Sequence, residues 1–275
     1  MERRQLMQAA GAGVAGIVGG QVLGLGDVAG ASPDRGAHNP PFGGATLVSL
    51  SHVNDPAVTN VFPGDPAFTL TTVATIPEDG FYMQYVQEAE HTGTHWGAPA
   101  HFQEGGLTAD QLDPNDLLLP AVKIDIRDKV VGNDDYALTI ADLKAWERVY
   151  GRIPHGAAVI LWTGWESRWG TDAYPNLDAD GVIHQPGFSP ESVQWLIDKQ
   201  KLDVRGSLGT DTFGADLGID PDFTASTLLF DQHRISLENL NNLGSLPPTG
   251  AWVLVGGPIH KAGSGSTATI YAILP

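Results

Sequence analysis

Short stretches of hydrophobic residues recur along the chain from about residue 46 onward. Each stretch is rich in β-branched or aromatic residues and is bounded by Pro, Gly or Asp, which is typical of β-strands. The pattern therefore predicts strands at 46–50, 68–75, 81–87, 121–126, 157–162, 251–256 and 267–274.

Two helices are predicted among these strands. The first opens at Thr139 and extends to about Tyr150, and Asp142 in its first turn suits the helix dipole. The second has Ser189 as N-cap and Pro190 at its first helical position, and its apolar residues lie on one face: Val193, Leu196 and Ile197. Since no repeat or long linker divides the chain after residue 31, we predict one α/β domain with more strand than helix.

Composition narrows the classes of protein. The chain has 275 residues, of which 42% are hydrophobic and 17% charged, so a sizeable core is expected and disorder is not. A formal charge of −17 argues against a nucleic-acid or anionic-membrane partner. The absence of Cys from the sequence excludes disulfides, thiolate zinc sites and cysteine nucleophiles. Composition alone therefore excludes several classes of partner and of site but does not identify a substrate.

The first 31 residues have the pattern of an export signal. Arg3 and Arg4 precede a Gly/Ala-rich apolar run from Ala9 to Leu25, and 29–31 has the small-x-small pattern of a cleavage site. The paired arginines resemble a twin-arginine signal, which exports folded proteins. The alternative is a short membrane anchor, but about 17 residues is marginal for a bilayer. We predict cleavage after residue 31, a mature domain at 32–275, no stable membrane insertion, and an exported protein.

A histidine cluster carries the candidate chemistry. Three of the nine histidines lie within eleven residues: His91, His95 and His101. Gly93, Gly97 and Pro99 between them oppose a helix, so we predict a strand end that runs into a tight loop. Neutral imidazoles suit divalent Zn, Mn, Fe or Ni. The alternative is a polar loop whose histidines are satisfied by hydrogen bonds.

This segment resembles the H-x-G-T-H-x-D-x-P-x-H signature of the cyclase family of metal-dependent hydrolases, which includes kynurenine formamidase and isatin hydrolase. Further stretches resemble the family's motifs in the same order: Phe62–Pro66, Leu161–Trp165, Pro186–Phe188, Gly209–Thr212 and Glu238–Leu243. The resemblance extends from about Thr46 to the C-terminus.

The resemblance implies a swivelling β/β/α fold, usually assembled as a homodimer, and a bound divalent ion, Zn or Mn. Carried over residue by residue, it assigns His91 and His95 as metal ligands and His101 as the general acid/base. It also assigns Glu238 as the late carboxylate ligand of the members with two ions.

Two positions depart from the family's pattern. Gly97 stands where the motif has a ligand Asp, and Ser226 stands where members with two ions have a His. A two-ion site is therefore not expected. We expect one ion on His91 and His95 with one or two of Glu238, His101 and Asp211, because catalytic zinc needs three protein ligands. The other outcome of these losses is a site with no metal.

Three hypotheses follow for the function. The first, which the resemblance implies, is a secreted hydrolase of an amide, cyclic amide or lactone bond in a small-molecule substrate, in which a metal-activated water attacks and His101 moves the proton. The second is a metal-free cyclase, dehydratase or isomerase that uses His101 and Glu238. The third is a relative that binds a ligand without catalysis.

Other residues beside the motifs are candidates for the walls of a substrate pocket: Phe62, Trp96, Trp162 and Asp211. For the aromatic residues the alternative is ordinary core packing. A separate acidic stretch, Asp216, Asp220 and Asp222, is interpreted as a solvated loop.

Overall fold

A computed structural model describes residues 43–275, so the predicted export signal lies outside the described residues. The strands are β1 (Thr46–Ser49), β2 (Thr69–Ala74), β3 (Met83–Gln87), β4 (His95–Gly97), β5 (Leu118–Asp125), β6 (Ala137–Leu138), β7 (Ala158–Trp162), β8 (Gly187–Phe188), β9 (Ser207–Thr210), β10 (Ile235–Glu238), β11 (Ala251–Gly256), β12 (Gly265–Thr267) and β13 (Thr269–Leu274). The α-helices are α1 (Ile76–Asp79), α2 (Arg127–Val130), α3 (Ile140–Tyr150), α4 (Pro190–Asp198) and α5 (Thr224–Leu229). Short 3₁₀ turns connect them at Pro99–His101, Ala109–Gln111, Pro114–Leu117, Trp165–Arg168 and Leu243–Ser245.

Nine of the strands form one mixed sheet in the order β1-β13-β11-β5-β7-β9-β10-β4-β12. The central strands β5, β7, β9 and β10 run parallel to one another. The strands on both sides of them pair antiparallel. Outside this sheet, β2 and β3 form an antiparallel hairpin, and β6 and β8 form a short parallel pair.

The centre of the sheet is buried on both faces, as is typical of parallel strands. Successive side chains of β7 alternate between two hydrophobic cores. Val159 and Leu161 enter the core that also contains Trp146 of α3 and Leu196 of α4. Ile160 enters the second core, which is built with side chains of the antiparallel strands.

Both predicted helix starts are confirmed. The Thr139 side chain accepts a hydrogen bond from the Asp142 backbone, and the Asp142 carboxylate accepts one from the Thr139 backbone, 2.9 Å away. At the second helix, Ser189 accepts from the Ser192 backbone, and Pro190 begins α4. These contacts satisfy amide groups that the first helical turn leaves without partners.

The strand-rich α/β class is also confirmed, but two central strands were not predicted. Strands β9 and β10 are short and contain Ser and Gly, so propensity does not mark them. Gly209 in β9 is required by close packing, because a Cβ there would lie 2.9 Å from Ile160 Cγ1. The strand predicted at 267–274 corresponds to β13 (Thr269–Leu274), while Thr267 ends the separate strand β12 (Gly265–Thr267).

The β2–β3 hairpin carries large hydrophobic residues that face solvent, including Tyr82 at 58% exposure and Tyr85 at 60%. Across residues 43–275, no helix combines the length and the apolar character needed to cross a membrane.

Candidate active site

The three histidines of the motif converge in space. His95 begins strand β4, and the 3₁₀ turn Pro99–His101 brings His101 back towards it. The His91 and His95 ring centroids lie 5.0 Å apart, and the His91 and His101 rings stack at 3.9 Å. The predicted strand end leading into a tight turn is therefore correct.

Strand pairing brings Glu238 to the same place. Glu238, the last residue of β10, lies directly opposite His95 in the antiparallel register of β10 with β4. Cross-strand neighbours of this kind have side chains in contact. His95 Nε2 lies 3.0 Å from Glu238 Oε2. The register of β10 on β4 thus places Glu238 of the late motif beside His95 of the histidine motif.

His95 is held in one orientation. Its Nδ1 lies 2.9 Å from the carbonyl oxygen of Gly93, which can only accept, so Nδ1 carries the proton. In the neutral ring this leaves the lone pair on Nε2. Although burial lowers the pKa of His95, the Glu238 carboxylate raises it above the ordinary value. In turn, although burial raises the pKa of Glu238, the attraction of His95 brings it down to about 2.

His91 and His101 are both kept neutral by their surroundings. Burial, reinforced by His95 and His101, lowers the pKa of His91 to about 3. Burial also lowers the pKa of His101, although Glu238 and Asp65 act in the opposite direction. His91 Nε2 lies 2.9 Å from the Ser264 hydroxyl. A neutral imidazole at position 101 can accept a proton near neutral pH.

At the two positions that differ from the family motif, Gly97 and Ser226, neighbouring side chains make other contacts. A Cβ at Gly97 would lie 2.6 Å from Ser236 Oγ and 3.1 Å from Phe230, so the aspartate of the motif has no room here. The Ser226 hydroxyl donates to the Asp216 carboxylate. Neither position therefore presents a free metal ligand.

The remaining donors fit one divalent ion. The buried atoms His95 Nε2 and His91 Nδ1 have no hydrogen-bond partner, and Glu238 Oε2 lies beside the first of them without the geometry of a hydrogen bond. Two ligands of one tetrahedral ion are about 3.3 Å apart, so this spacing suits shared coordination. Within residues 43–275, no group of three or more His, Asp or Glu side chains has the arrangement of a complete metal site. His95 Nε2 and Glu238 Oε2 therefore lie side by side as donor atoms, and His91 Nδ1 is a further unpartnered nitrogen on a neighbouring ring.

A cavity of about 500 Å³ opens beside these residues. His101 and Glu238 line it, together with Phe62, which was predicted to do so. The other aromatic lining residues are Phe102, Phe213 and Phe223. The candidate acid/base residue and the candidate carboxylate ligand therefore face the same space, and a flat molecule would contact phenylalanine rings there.

Three predicted pocket residues do not line this cavity. Trp96 is 1% exposed and packs in the second core, because alternate side chains of β4 point to opposite faces of the sheet. Trp162 lies against the same core, where its ring contacts the guanidinium of Arg127 at 3.4 Å and its indole donates to Glu166. The alternative of core packing was correct for both tryptophans.

Asp211 is a structural residue. It is fully buried, and its carboxylate accepts hydrogen bonds from the backbone and hydroxyl of Thr163 and from the backbone of Glu166. Burial raises its pKa to about 6 against these hydrogen bonds. The prediction that Asp211 faces the substrate or the ion is wrong, because the carboxylate ties two loops together instead.

The interpretation of Asp216 as part of a solvated loop is also wrong. Asp216 is 9% exposed and lines the cavity. It was not among the predicted pocket residues, and neither were the lining residues Gln185, Phe213 and Phe223. The available signal was position, since Phe213 directly follows the Gly209–Thr212 motif and Asp216 lies within the next few residues.

Comparisons with known proteins agree with the motif. The family model Cyclase, described as "Putative cyclase", matches residues 48–217. Isatin hydrolase of Roseibium aggregatum is 34% identical over 221 residues, 76% of this chain and 82% of that protein. Kynurenine formamidase of Salinibacter ruber is 27% identical over 230 residues, 83% of this chain and 96% of that protein.

A solved structure supports the same relationship. Isatin hydrolase A from Ralstonia solanacearum superposes with a TM-score of 0.77 and 32% identity, over 85% of this chain and 93% of that chain. As its histidine motif predicts, the chain belongs to the cyclase family and is an enzyme of that family's hydrolytic kind.

Proposed function

We propose that the protein hydrolyses a C–N bond, in an amide or a cyclic amide, or the acyl bond of a lactone, in a small molecule bound in the 500 Å³ cavity. The observation that carries this proposal is that His101 and Glu238 face the cavity while His91 and His95 contact them from behind. The relatives are hydrolases by name, which supports the reaction class.

His101 acts as the general acid/base. Its neutral ring nitrogen accepts a proton as water attacks the acyl carbon, and returns that proton to the leaving nitrogen or oxygen. The stacked His91 ring fixes the plane of the His101 imidazole. The phenylalanine rings of the lining give the substrate an apolar wall, and Phe102 contacts the His101 ring directly.

We further propose that one Zn or Mn ion is held by His91, His95 and Glu238. The unpartnered imidazole nitrogens support these ligands. When bound, such an ion supplies Lewis acidity to the water and to the substrate carbonyl.

One experiment tests the reaction and the ion together. The purified protein, prepared with Zn and Mn present, is assayed for hydrolysis of aryl formamides, cyclic imides and lactones, and its metal content is measured by mass spectrometry. We expect His101→Ala to lower kcat about 10²- to 10⁴-fold with metal content unchanged. His95→Ala should lose the ion, and the exposed His155→Ala is the matched control. An active His101→Ala enzyme contradicts the role of His101.

The metal-free hypothesis is favoured by one observation, the missing carboxylate at Gly97, whose space is filled by Ser236 and Phe230. Under this hypothesis His101 and Glu238 run acid/base chemistry such as dehydration or ring closure. A metal-free protein that is active, and whose activity is lost in His101→Ala, supports it and contradicts the metal-dependent proposal.

We propose that the β2–β3 hairpin forms the interface of a homodimer. Large hydrophobic residues are exposed on both faces of this hairpin and along its turn: Val73, Ile76, Phe81, Tyr82, Met83, Tyr85 and Val86. A second copy packed against the hairpin would cover part of them. Exposed apolar patches of this kind mark interaction surfaces in soluble proteins.

We also propose that residues 1–31 direct export and are removed. The arginine pair and the small-residue cleavage pattern support this. Sequencing the N-terminus of the protein from the culture medium or cell envelope should give a start at Ser32. A protein that retains Met1 inside the cell contradicts the proposal.

A further inference from the structure

A serine and a glutamate contact His91 through its Nε2 atom. His91 Nε2 lies 2.9 Å from Ser264 Oγ. The same hydroxyl oxygen lies 2.7 Å from Glu90 Oε2, and the Ser264 backbone nitrogen lies 2.8 Å from that carboxylate oxygen. Glu90 directly precedes His91 in the chain, whereas Ser264 directly precedes strand β12. Two distant segments therefore meet behind one histidine of the motif.

The distances give the direction of these hydrogen bonds. A serine hydroxyl has one proton, and an ionised carboxylate can only accept. If Ser264 gave its proton to His91, its oxygen would face Glu90 Oε2 at 2.7 Å with no proton between them, which is repulsive. That distance is instead the length expected of a hydroxyl-to-carboxylate hydrogen bond. Ser264 therefore donates to Glu90 and accepts from the Nε2–H group of His91.

This direction fixes the tautomer of His91. Burial lowers the pKa of His91 to about 3, so the ring is neutral and carries a single proton. With that proton on Nε2, the lone pair is on Nδ1, the buried atom that has no hydrogen-bond partner within residues 43–275. His95 is held the opposite way, because Gly93 accepts from its Nδ1 and its Nε2 is unpartnered. Each imidazole therefore presents one lone pair, from opposite ring nitrogens.

The loop that carries Ser264 is shaped for this contact. A Cβ at the next residue, Gly265, would lie 2.7 Å from His91 Cε1 and 2.4 Å from the Trp96 carbonyl oxygen. Glycine therefore lets the chain come this close to the ring. The Ala98 backbone also donates to the Ser264 carbonyl at 2.8 Å, which attaches the loop to the histidine motif. Backbone contacts thus hold Ser264 in place independently of its contact with His91.

We propose that Ser264, backed by Glu90, is a positioning residue that holds His91 in the Nε2–H tautomer and directs its Nδ1 lone pair into the site. The inference deepens the proposed function and rests on it for the bound ion, whereas the tautomer is measured without an ion. Partners behind a metal-ligating histidine fix its tautomer and orientation, and their loss lowers metal affinity about 10- to 100-fold. The same contact fixes the ring on which His101 stacks at 3.9 Å.

Nitrogen NMR tests the tautomer directly. In the metal-free protein labelled with ¹⁵N-histidine at about pH 7.5, long-range ¹H–¹⁵N correlation separates protonated from unprotonated ring nitrogens, and His91→Ala assigns the signals. We expect wild-type His91 to carry its proton on Nε2, and Ser264→Ala to give shifts averaged between the two tautomers. Ser264→Thr keeps the hydroxyl and should restore the wild-type shifts. A wild-type His91 with its proton on Nδ1 overturns the proposal.

Zinc affinity measures the consequence for the site. Zn²⁺ is titrated into the metal-free protein in competition with a chromophoric chelator. We expect Ser264→Ala to bind Zn²⁺ about 10- to 100-fold more weakly than wild type, and Ser264→Thr to bind it nearly as tightly as wild type. Ser266→Ala is the matched control, because it removes from the same segment a buried hydroxyl that donates to the Thr267 carbonyl. It should keep the wild-type affinity, and circular dichroism verifies that each variant is folded.

Two substitutions test the role of Glu90. Glu90→Gln retains a carbonyl oxygen that can accept from Ser264, so His91 should keep its tautomer. Glu90→Ala removes the acceptor and frees the Ser264 hydroxyl to donate to His91, so the averaged shifts of Ser264→Ala should appear. Identical His91 shifts in the two Glu90 variants overturn the role of Glu90 as the acceptor.

Failure of this inference is distinguishable from failure of the proposed function. A wild-type protein that binds neither Zn²⁺ nor Mn²⁺ contradicts the proposed ion, while the histidine spectra still decide the tautomer. Unchanged His91 shifts in Ser264→Ala, or an equal loss of affinity in Ser264→Ala and Ser266→Ala, overturns the role of Ser264 and leaves the proposed reaction standing.

Discussion

Gly97 occupies the position at which the cyclase motif carries an aspartate, and neighbouring side chains fill the space that an aspartate side chain would need. Ser236 Oγ lies where a Cβ would need space, and it accepts a hydrogen bond from the Gly97 backbone at 3.1 Å. The loss of a ligand is therefore built into the packing of β4 against β10. A single reverse substitution would not restore the family's ligand set.

We expect Gly97→Ala to lower the free energy of unfolding by about 1–3 kcal/mol, because the added methyl overpacks the site. Gly256→Ala is the control: its Cβ would lie 3.4 Å from the nearest atom, and alanine should be neutral or stabilising by up to about 1 kcal/mol. Urea denaturation measures both. Equal stability of the two variants would show that the Ser236 side chain moves away freely.

At the scale of elements, local sequence determines how helices begin. Thr139 and Asp142 cap α3 reciprocally, and Asp142 also contacts Lys129 of α2 and the hydroxyl of Tyr136. One carboxylate therefore ties the start of α3 to the preceding helix. The cap was predictable from the residues, whereas the contact with Lys129 depends on where α2 packs.

The Asp142 carboxylate makes the free energy of unfolding depend on pH. Although burial raises the pKa of Asp142, hydrogen bonds from Lys129, Thr139 and Tyr136 lower it to about 2 from 3.8. Because the pKa of Asp142 is lower in the folded protein than in the unfolded chain, the ionised carboxylate stabilises the fold at pH values above about 4. This contribution is lost as pH falls from about 4 through about 2. Since Lys129 is partly exposed and water screens its charge, we expect the carboxylate to add about 1–2 kcal/mol to the free energy of unfolding.

Denaturation of wild type and Asp142→Asn at pH 7 and at pH 2.5 measures this contribution. The difference in unfolding free energy should be largest at pH 7 and shrink at pH 2.5. Asp128→Asn, an exposed change on α2, is the control and should differ little from wild type at either pH. A difference that does not change with pH would assign the effect to the helix cap alone.

At the scale of the whole molecule, the β2–β3 hairpin leaves apolar side chains without a partner within residues 43–275. Tyr82 and Tyr85 are both more than half exposed. Burying such aromatic side chains against a second copy is favourable in proportion to the area removed from water.

We expect the wild-type protein to elute as a dimer in light scattering coupled to size exclusion, and Tyr82→Glu/Tyr85→Glu to shift it to the monomer with the fold intact. Tyr271→Glu, a partly exposed tyrosine on β13, is the control and should leave the dimer unchanged. A monomeric wild-type protein contradicts the interface.

Much of the candidate site could be predicted from the chain alone because its signals are local. The spacing of His91, His95 and His101 depends on the strand end and the turn that Pro99 begins, and both lie within one short segment. The starts of α3 and α4 depend on caps a few residues long. Family membership was predictable for the same reason, since its motifs are contiguous.

Contacts between distant segments were decided by the tertiary structure. The register of β10 on β4 places Glu238 opposite His95, and the alternation of β4 turns Trp96 into the core. Asp211 and Asp216 have the same side chain and lie in one loop region, yet one ties loops together and the other lines the cavity. The chain determined which chemical groups are present, whereas burial and strand register, which depend on the whole sheet, determined which of them face the substrate.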